Sequence, residues 1–318
     1  MYLVTGGAGF IGSNVVEALV RAGERVRVLD DFSTGSRANL AAVARDVEII
    51  EGDLRDRDTV RRAVSGVKYV SHQAALRSVP RSVDDPLSTD AVNVHGTLTL
   101  LVAARDAGVQ RVVYASSSSV YGDSPLLPKL EEHAPSPVSP YAVSKLTAEL
   151  YCRVFSKLYG LETVSMRYFN VFGPKQSPES QYAAVVPLFM QAAVRGTPAI
   201  VHGDGTQSRD FTHIDNVVQA NLLAMRVPNV AGEAFNIACG ERHSVLEIIE
   251  LLERFQGAPI ARQHTPPRAG DVSHTHASIE KAQRLLGYVP RVGFEDGLRQ
   301  TFDLFRRSAS RGEARATV

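Results

Sequence analysis

Thr5-Gly6-Gly7-Ala8-Gly9-Phe10-Ile11-Gly12 follows a short apolar run, Tyr2-Leu3-Val4. It opens a stretch in which Val15, Val16, Leu19 and Val20 recur on one side and Glu17 and Arg21 on the other. Gly23 breaks that helical period, and Arg25-Val26-Arg27-Val28-Leu29 alternates up to Asp30-Asp31. Strand, glycine turn, helix, strand and acid in this order are the dinucleotide fingerprint in the context its mechanism requires. Gly6 permits the tight turn, Gly9 lets backbone approach a pyrophosphate, and Gly12 lets helix pack closely on strand. The helix N-terminus then offers unpaired N–H groups to the anion. The spacing Gly-x-x-Gly-x-x-Gly differs from the commoner Gly-x-Gly-x-x-Gly. Asp30 is placed to accept from ribose hydroxyls, and a carboxylate there opposes a 2′-phosphate, which favours NAD over NADP.

Working outward, the alternation of strand and helix continues. Val47 to Glu51 leads to Gly52-Asp53-Leu54 and a helix from Asp56 to about Ser65; Val67 to Val70 leads to Ser71-His72-Gln73-Ala74-Ala75. Asp53 and Leu54 fall where an adenine edge would lie, although Asp53 would serve equally as a helix N-cap. Gln73 to Ala75 fall where the chain crosses the cofactor. A long helix is predicted from Leu87 to Ala107, carrying Asn93, and then an apolar strand from Val109 to Ala115. Repeated βα units build a doubly wound parallel sheet of the Rossmann type, with ligands outside the carboxyl ends of its strands.

The last of these strands delivers Ser116-Ser117-Ser118-Ser119-Val120-Tyr121, and Ser139-Pro140-Tyr141-Ala142-Val143-Ser144-Lys145 starts a helix running toward Leu158. Tyr141 and Lys145 lie one helical turn apart, so phenol and ammonium share a face. A neighbouring cation favours the phenolate, which is the tuning a general base needs, though such pairs also occur on plain surface helices. After a strand from Leu161 to Tyr168 the regular alternation fails. Pro- and Gly-containing stretches at 174–187, 195–209 and 257–272 separate short helical patches. Residues 1–172, with a contribution from about 211–238, are expected to form the nucleotide-binding domain. Residues 173–210 and 239–308 are expected to form a smaller substrate domain, and 309–318 a disordered tail.

The bulk composition narrows the class. The chain has 318 residues, 44% hydrophobic, with Lys+Arg 35 against Asp+Glu 34. A near-zero net charge implies no polyanion-binding surface, so no nucleic acid is expected. No apolar run approaches the ~20 residues that cross a bilayer, and Met1 leads straight into a strand, so a cytoplasmic setting without a membrane partner is expected. Two cysteines, Cys152 and Cys239, make neither a disulfide framework nor a zinc site. His274 and His276 could share one face of a strand, but no cysteine or carboxylate stands at ligand spacing, so no metal is expected.

Taken together, Gly6-x-x-Gly9-x-x-Gly12, Asp30, Asp53-Leu54, Ser117 before Tyr141-x-x-x-Lys145, Arg167-Tyr168-Phe169-Asn170, Arg209-Asp210-Phe211 and Arg268-x-Gly270-Asp271 resemble the extended short-chain dehydrogenase/reductase family. Within that family the likeness is to the UDP-hexose 4-epimerases, over nearly the whole chain. The resemblance implies that Tyr141 removes the 4-hydroxyl proton while C4 passes hydride to NAD⁺, and that hydride returns to the other face of a 4-keto sugar. Lys145 would hold the nicotinamide ribose and lower the tyrosine pKa, and Ser117 would bond the 4-oxygen and relay the proton. By the same resemblance Phe10, Ile11, Asp31, Gln73, Ala74, Ala75, Arg77, Asn93 and Tyr168 line the cofactor. Ser78, Ser119, Asn170, Gln176, Arg209, Arg268, Asp271 and Thr275 face the UDP-sugar; for Arg268 a solvated loop arginine is equally compatible. A homodimer through the helices 87–107 and 139–158 is also implied.

Related 4,6-dehydratases carry Thr-Asp-Glu, and decarboxylases a Glu, where this chain has Ser117-Ser118-Ser119. Elimination needs a further acid–base pair, and none is visible here. Thr275 replaces a bulky tyrosine of the enzymes restricted to glucose and galactose, which leaves room for an N-acetyl group. Ser119, Gln176 and the turn Leu76-Arg77-Ser78 also resemble the branch that prefers UDP-N-acetylhexosamines. Arg77 departs from the glycine expected in that branch; it matches a lysine beside the cofactor and could also meet a C6 carboxylate. A UDP-uronate 4-epimerase and a non-catalytic NAD-binding regulator are therefore the alternatives.

Overall fold

Seven parallel strands form the central sheet of the computed structural model, which describes residues 1–178, 184–267 and 272–310. In chain order they are β1 (Tyr2–Thr5), β2 (Val26–Asp30), β3 (Val47–Glu51), β4 (Tyr69–His72), β5 (Arg111–Ser117), β6 (Glu162–Tyr168) and β7 (Glu233–Ile237). Their spatial order is 7-6-5-4-1-2-3. The winding reverses between β1 and β4, and such a switch point opens a crevice at the carboxyl ends of the strands. Both faces are covered over the inner strands, so β1 is buried at every residue and apolar up to its last, Thr5, whereas the edge strand β3 carries Glu48 and Glu51 and is only partly buried.

Helix α1 (Phe10–Arg21) turns its Val15, Val16 and Leu19 onto one face of the sheet, beside a helix over Ile214–Arg226 that precedes β7. The other face takes Arg57–Val64, Thr97–Asp106 and the long helix Pro140–Tyr159, here α2, α3 and α4; Ile214–Arg226 is α5. A third apolar cluster lies outside the sheet and is built from Phe172, Val186, Phe189, Ile248, Leu252, Phe294, Leu298 and Phe302. Ala282, Leu286 and Tyr288, from the stretch expected in the substrate lobe, join the apolar cluster on the α1 and α5 face, where the helix Glu280–Leu286 packs on α5 and β7.

The helix expected over 87–107 runs unbroken from Pro86 to Asp106, but a π turn, Ala91–Gly96, lies within it between Pro86–Asp90 and α3; a short helix at Val79–Asp84 precedes it. Pro86 and the Asp85 side chain, which accepts from Ser88 N, start the long helix. The wide turn adds a residue to the helical path and swings Asn93 inward, an insertion that often accompanies functional sites. Among the described residues, no helix is long and apolar enough to cross a membrane.

Candidate active site

The cleft at the switch point encloses about 460 Å³. Its floor is the glycine turn, where backbone crowding replaces side chains. A Cβ on Gly12 would stand 2.1 Å from the Gly6 carbonyl oxygen, and one on Gly6 (φ +65°) would stand 2.6 Å from Ala74 N. The start of α1 has no side-chain cap, and Phe10 and Ile11 line the cleft. These features make a close, uncapped cradle that fits the pyrophosphate of a dinucleotide.

Asp30 is buried at the carboxyl end of β2. Its Oδ2 accepts from Ala8 N at 2.8 Å and its Oδ1 from Phe32 N at 2.9 Å. The carboxylate thus ties the glycine turn to the following loop and keeps a lone pair on each oxygen for ribose hydroxyls. Burial raises its pKa, against those two N–H bonds. Asp31, Asp53 and Leu54 also line this end. Asp53 is neither the expected N-cap nor free: Asp56 caps α2, while Asp53 grips Arg55 through 3.0 Å bonds that hold its pKa down.

At the other end of the cleft β5 brings Ser117, and α4 brings Tyr141 and Lys145. Ser139 caps α4 by accepting from Ala142 N at 3.2 Å, and Pro140 fixes its first turn, which sets Tyr141 at the mouth. Ser119 Oγ donates to Ser117 Oγ at 2.9 Å, and Ser119 N approaches it at 3.2 Å. Ser117 therefore accepts from both and has its own proton to pass onward. Lys145 is buried, donates to the Ala115 carbonyl at 2.8 Å, and has its pKa lowered by burial to about 7.

Burial also raises the Tyr141 pKa; the Ser117 hydroxyl and the Arg77 guanidinium pull it down. Two cations face the phenol: the Arg77 guanidinium, and Lys145, whose Nζ lies 5.9 Å from the centre of the Tyr141 ring while it donates to the Ala115 carbonyl. Arg77 lines the cleft and makes no ion pair with a carboxylate among the described residues.

Gln73, Ala74, Ala75 and Tyr168 line the middle of the cleft. The Tyr168 hydroxyl accepts from Asn221 at 2.8 Å and from Gln73 at 3.2 Å. Asn221, on α5, went unread in the sequence, because a polar residue on an apolar helix face gives no local sign of its partner. Asn93 does not line the cleft. Its amide accepts from Leu76 N at 2.8 Å and donates to Leu76 O and Ser144 Oγ, both at 3.0 Å, so it staples the turn before Arg77 to α4. Ser78 is also outside the lining; at φ 113° it caps the helix at Val79 by accepting from Arg81 N.

Behind Ser117, Tyr141 and Lys145 lies Glu149, a residue the sequence reading passed over. It accepts from Ser116 Oγ at 2.7 Å and from Arg167 at 2.6 and 3.1 Å, and Arg167 reaches the Tyr121 hydroxyl at 2.8 Å. One buried carboxylate thereby fixes α4 against β5 and β6. Its signal was available: an acid one turn beyond Lys145 on the inward face of an amphipathic helix.

Asn170 and Gln176 line the cleft, and Ser119 completes that wall. A recess of about 230 Å³ continues from Asn170 and holds Arg209 beside Phe189, Phe211 and His202. Thr275 lines neither space; its hydroxyl accepts from Asn170 Nδ2 at 3.0 Å and from Asp210 N at 3.3 Å. Arg268 and Asp271 lie outside the described residues, as does 311–318 of the expected tail. His274 Nδ1 meets Ser208 Oγ at 2.8 Å and His276 Nε2 meets Gly240 O at 3.0 Å, so each imidazole has a protein partner.

The model of the NAD dependent epimerase/dehydratase family matches residues 2–238 of this chain. A UDP-glucose 4-epimerase of Mycolicibacterium smegmatis is 38% identical over 311 residues, covering 96% of this chain and 99% of that protein. A Thermus thermophilus UDP-glucose 4-epimerase solved in complex with NAD is 39% identical with a TM-score of 0.87, over 96% of this chain and 98% of that one. The UDP-N-acetylglucosamine 4-epimerase of Methanobrevibacter ruminantium is 36% identical with a TM-score of 0.92, again over 96% and 98%.

Proposed function

The chain belongs to the NAD-dependent epimerase/dehydratase family, and from that premise we propose that it is a 4-epimerase of UDP-hexoses with NAD as its cofactor. The observation that carries this reading is chemical. Ser117, Tyr141 and Lys145 meet at one end of the cleft, while the carboxylates that line it among the described residues, Asp30, Asp31 and Asp53, belong to the far end. Glu149, the acid nearest in sequence to the catalytic pair, lies behind it and is locked to Arg167. Elimination or decarboxylation would need a further acid–base pair, which the described residues at this end do not supply. Oxidation at C4 and its reversal need only one.

Bound NAD supplies the acceptor, and later the donor, of the C4 hydride. Tyr141 takes the proton of the 4-hydroxyl, with Ser117 holding the oxygen and Ser119 holding Ser117. Lys145 gives its protons to Ala115 O and, when the cleft fills, to the nicotinamide ribose. The sugar then turns within the mouth of the cleft so that C4 presents its opposite face to the cofactor site, and Tyr141 returns its proton to O4. Asn170, Gln176 and Arg209 are placed to take the nucleotide and sugar, and Thr275 sits behind Asn170. Thr275 does not bound the cleft, so its small size supports N-acetylhexosamine tolerance only through the room left around Asn170.

A specific observation favours one second reading. Arg77 is a cation beside Tyr141 without a carboxylate partner among the described residues, and a uronate whose O4 sits on Tyr141 would bring its C6 carboxylate to that side. We also read the protein as a homodimer. Val143, Leu150, Val154 and Leu158 form an exposed apolar stripe on α4, and Leu87 is exposed on the other helix expected to pair. The two cysteines are free, as suits a reducing cytoplasm.

The test uses purified protein without added cofactor and three substrates: UDP-galactose, UDP-N-acetylgalactosamine and UDP-galacturonate. NMR of the C4 proton should register inversion of at least one, and the sugar that turns names the substrate. Tyr141→Phe should lower turnover by about 10³-fold or more while the protein keeps its NAD. Release of a dehydrated or decarboxylated sugar would defeat the proposal, and inertness toward all three would favour the regulator.

A further inference from the structure

Lys175 adopts φ 71°, a left-handed conformation unusual for a lysine. Its Nζ donates to Glu17 Oε1 on α1 at 2.6 Å and to the Asn39 carbonyl at 2.7 Å. Asn39 is itself fixed, since its Nδ2 donates to the Ala8 carbonyl within the glycine turn at 2.9 Å. One residue before Lys175, the Pro174 carbonyl accepts from Asn14 Nδ2 at 3.3 Å, and Asn14 also bonds the Phe10 carbonyl at 2.8 Å. The Lys175 and Glu17 side chains are 21% and 17% exposed, so the pair is sheltered from most solvent screening.

These contacts join two opposed walls. Gly9 to Gly12 and Ser33 to Gly35 line one side of the cleft; Asn170, Val171 and Gln176 line the other. Lys175 belongs to the second wall and fastens onto the helix and loop that support the first. A dinucleotide seated on the glycine turn lies between the two.

We propose that Lys175, through Glu17 and Asn39, is a tie that retains the cofactor: the walls part, and NAD leaves, only when this tie opens. The inference rests on reading this cleft as the NAD site. It assigns a retention role to residues that line none of the cofactor's chemistry. Such a tie suits a reaction that passes through a ketone, because a protein that lost its reduced cofactor midway would strand the intermediate.

The experiment measures cofactor release, not turnover. Full-length protein is loaded with NADH, and its loss of fluorescence is followed after mixing with excess NAD⁺, for wild type, Lys175→Met, Glu17→Gln, the double variant and Lys175→Arg. Each of the first two should release NADH about tenfold faster, the effect of losing one sheltered charged contact. The double variant should be no faster than Lys175→Met, because both changes open the same tie, and Lys175→Arg should stay near wild type. Unchanged release in both single variants would overturn the proposal, as would a double effect equal to the product of the singles. Glu17→Gln tests the tie from the helix side should Lys175→Met fold poorly. If wild type binds no NADH at all, it is the reading of the cleft, not the tie, that fails.

Discussion

The two walls of the cleft are built by opposite means. The cofactor wall is backbone packed on backbone: glycines of one turn against Ala74, with strands β1, β2 and β4 in strict parallel register behind them. The substrate wall is side chains fastened to backbone from distant segments. Asn170 meets Thr275, and the Asp210 carboxylate accepts from Cys239 N at 2.8 Å, Gly240 N at 3.1 Å and Ala277 N at 3.3 Å. The first wall holds a part common to every turnover and has no room to vary. The second can be altered by one bond at a time, which is where substrate preference can change without loss of the fold.

If that contrast is right, adding a single methyl to the first wall should have the largest effect of any small change. In Gly12→Ala the new Cβ would overlap the Gly6 carbonyl oxygen at 2.1 Å, and neither backbone can yield without lifting α1 off β1. We expect a loss of about 3 kcal/mol or more and no retained NAD, read by urea unfolding and by cofactor released on acid denaturation. A Gly12→Ala protein of normal stability and NAD content would remove the distinction between the walls.

Asp210 should give an intermediate effect with a pH signature. Burial raises its pKa to about 6, and the three backbone N–H groups only partly offset this. From about pH 4 to about pH 6 the folded chain holds a proton that the unfolded chain has released. Its contribution to stability is therefore present in acid and is lost as the pH rises through 6, by roughly 3 kcal/mol at most. Asp210→Asn cannot titrate. The difference in unfolding free energy, wild type minus variant, should thus shrink by that amount between about pH 4 and about pH 7. Parallel profiles across that range would show that the clasp stays ionised throughout.

The same contrast explains what could be read in advance. The sheet, the glycine cradle and the meeting of Ser117 with Tyr141 and Lys145 follow from local periods and spacings, and these act within a few turns of chain. The π turn was missed because Leu87 to Ala107 keeps an ordinary helical period through Asn93, and only the bond to Leu76 reveals the extra residue. Lys175 and Asn221 were missed for a related reason: their partners lie 158 and 148 residues away, at Glu17 and Gln73. Arg77 was noticed, but its action on Tyr141 comes from the fold bringing two residues distant in the chain to one end of the cleft, which no local spacing shows.

Thr275 offers the smallest and most selective probe of the substrate wall. Its hydroxyl accepts from the Asn170 amide and from Asp210 N, and Asn170 is held at φ 31°, a conformation that side chains seldom adopt. Thr275→Val keeps the shape and removes the acceptor. Asn170 retains a 3.3 Å bond to the Asp210 carbonyl, so the wall should loosen rather than collapse. One neutral hydrogen bond is worth about 1 kcal/mol, or roughly a fivefold rise in KM for the UDP-sugar. Neither kcat nor NADH release should change, because Tyr141 and the glycine turn are anchored elsewhere. A fall in kcat as large as the rise in KM would mean that Asn170 also positions the reacting sugar, and the substrate wall would then share in the chemistry.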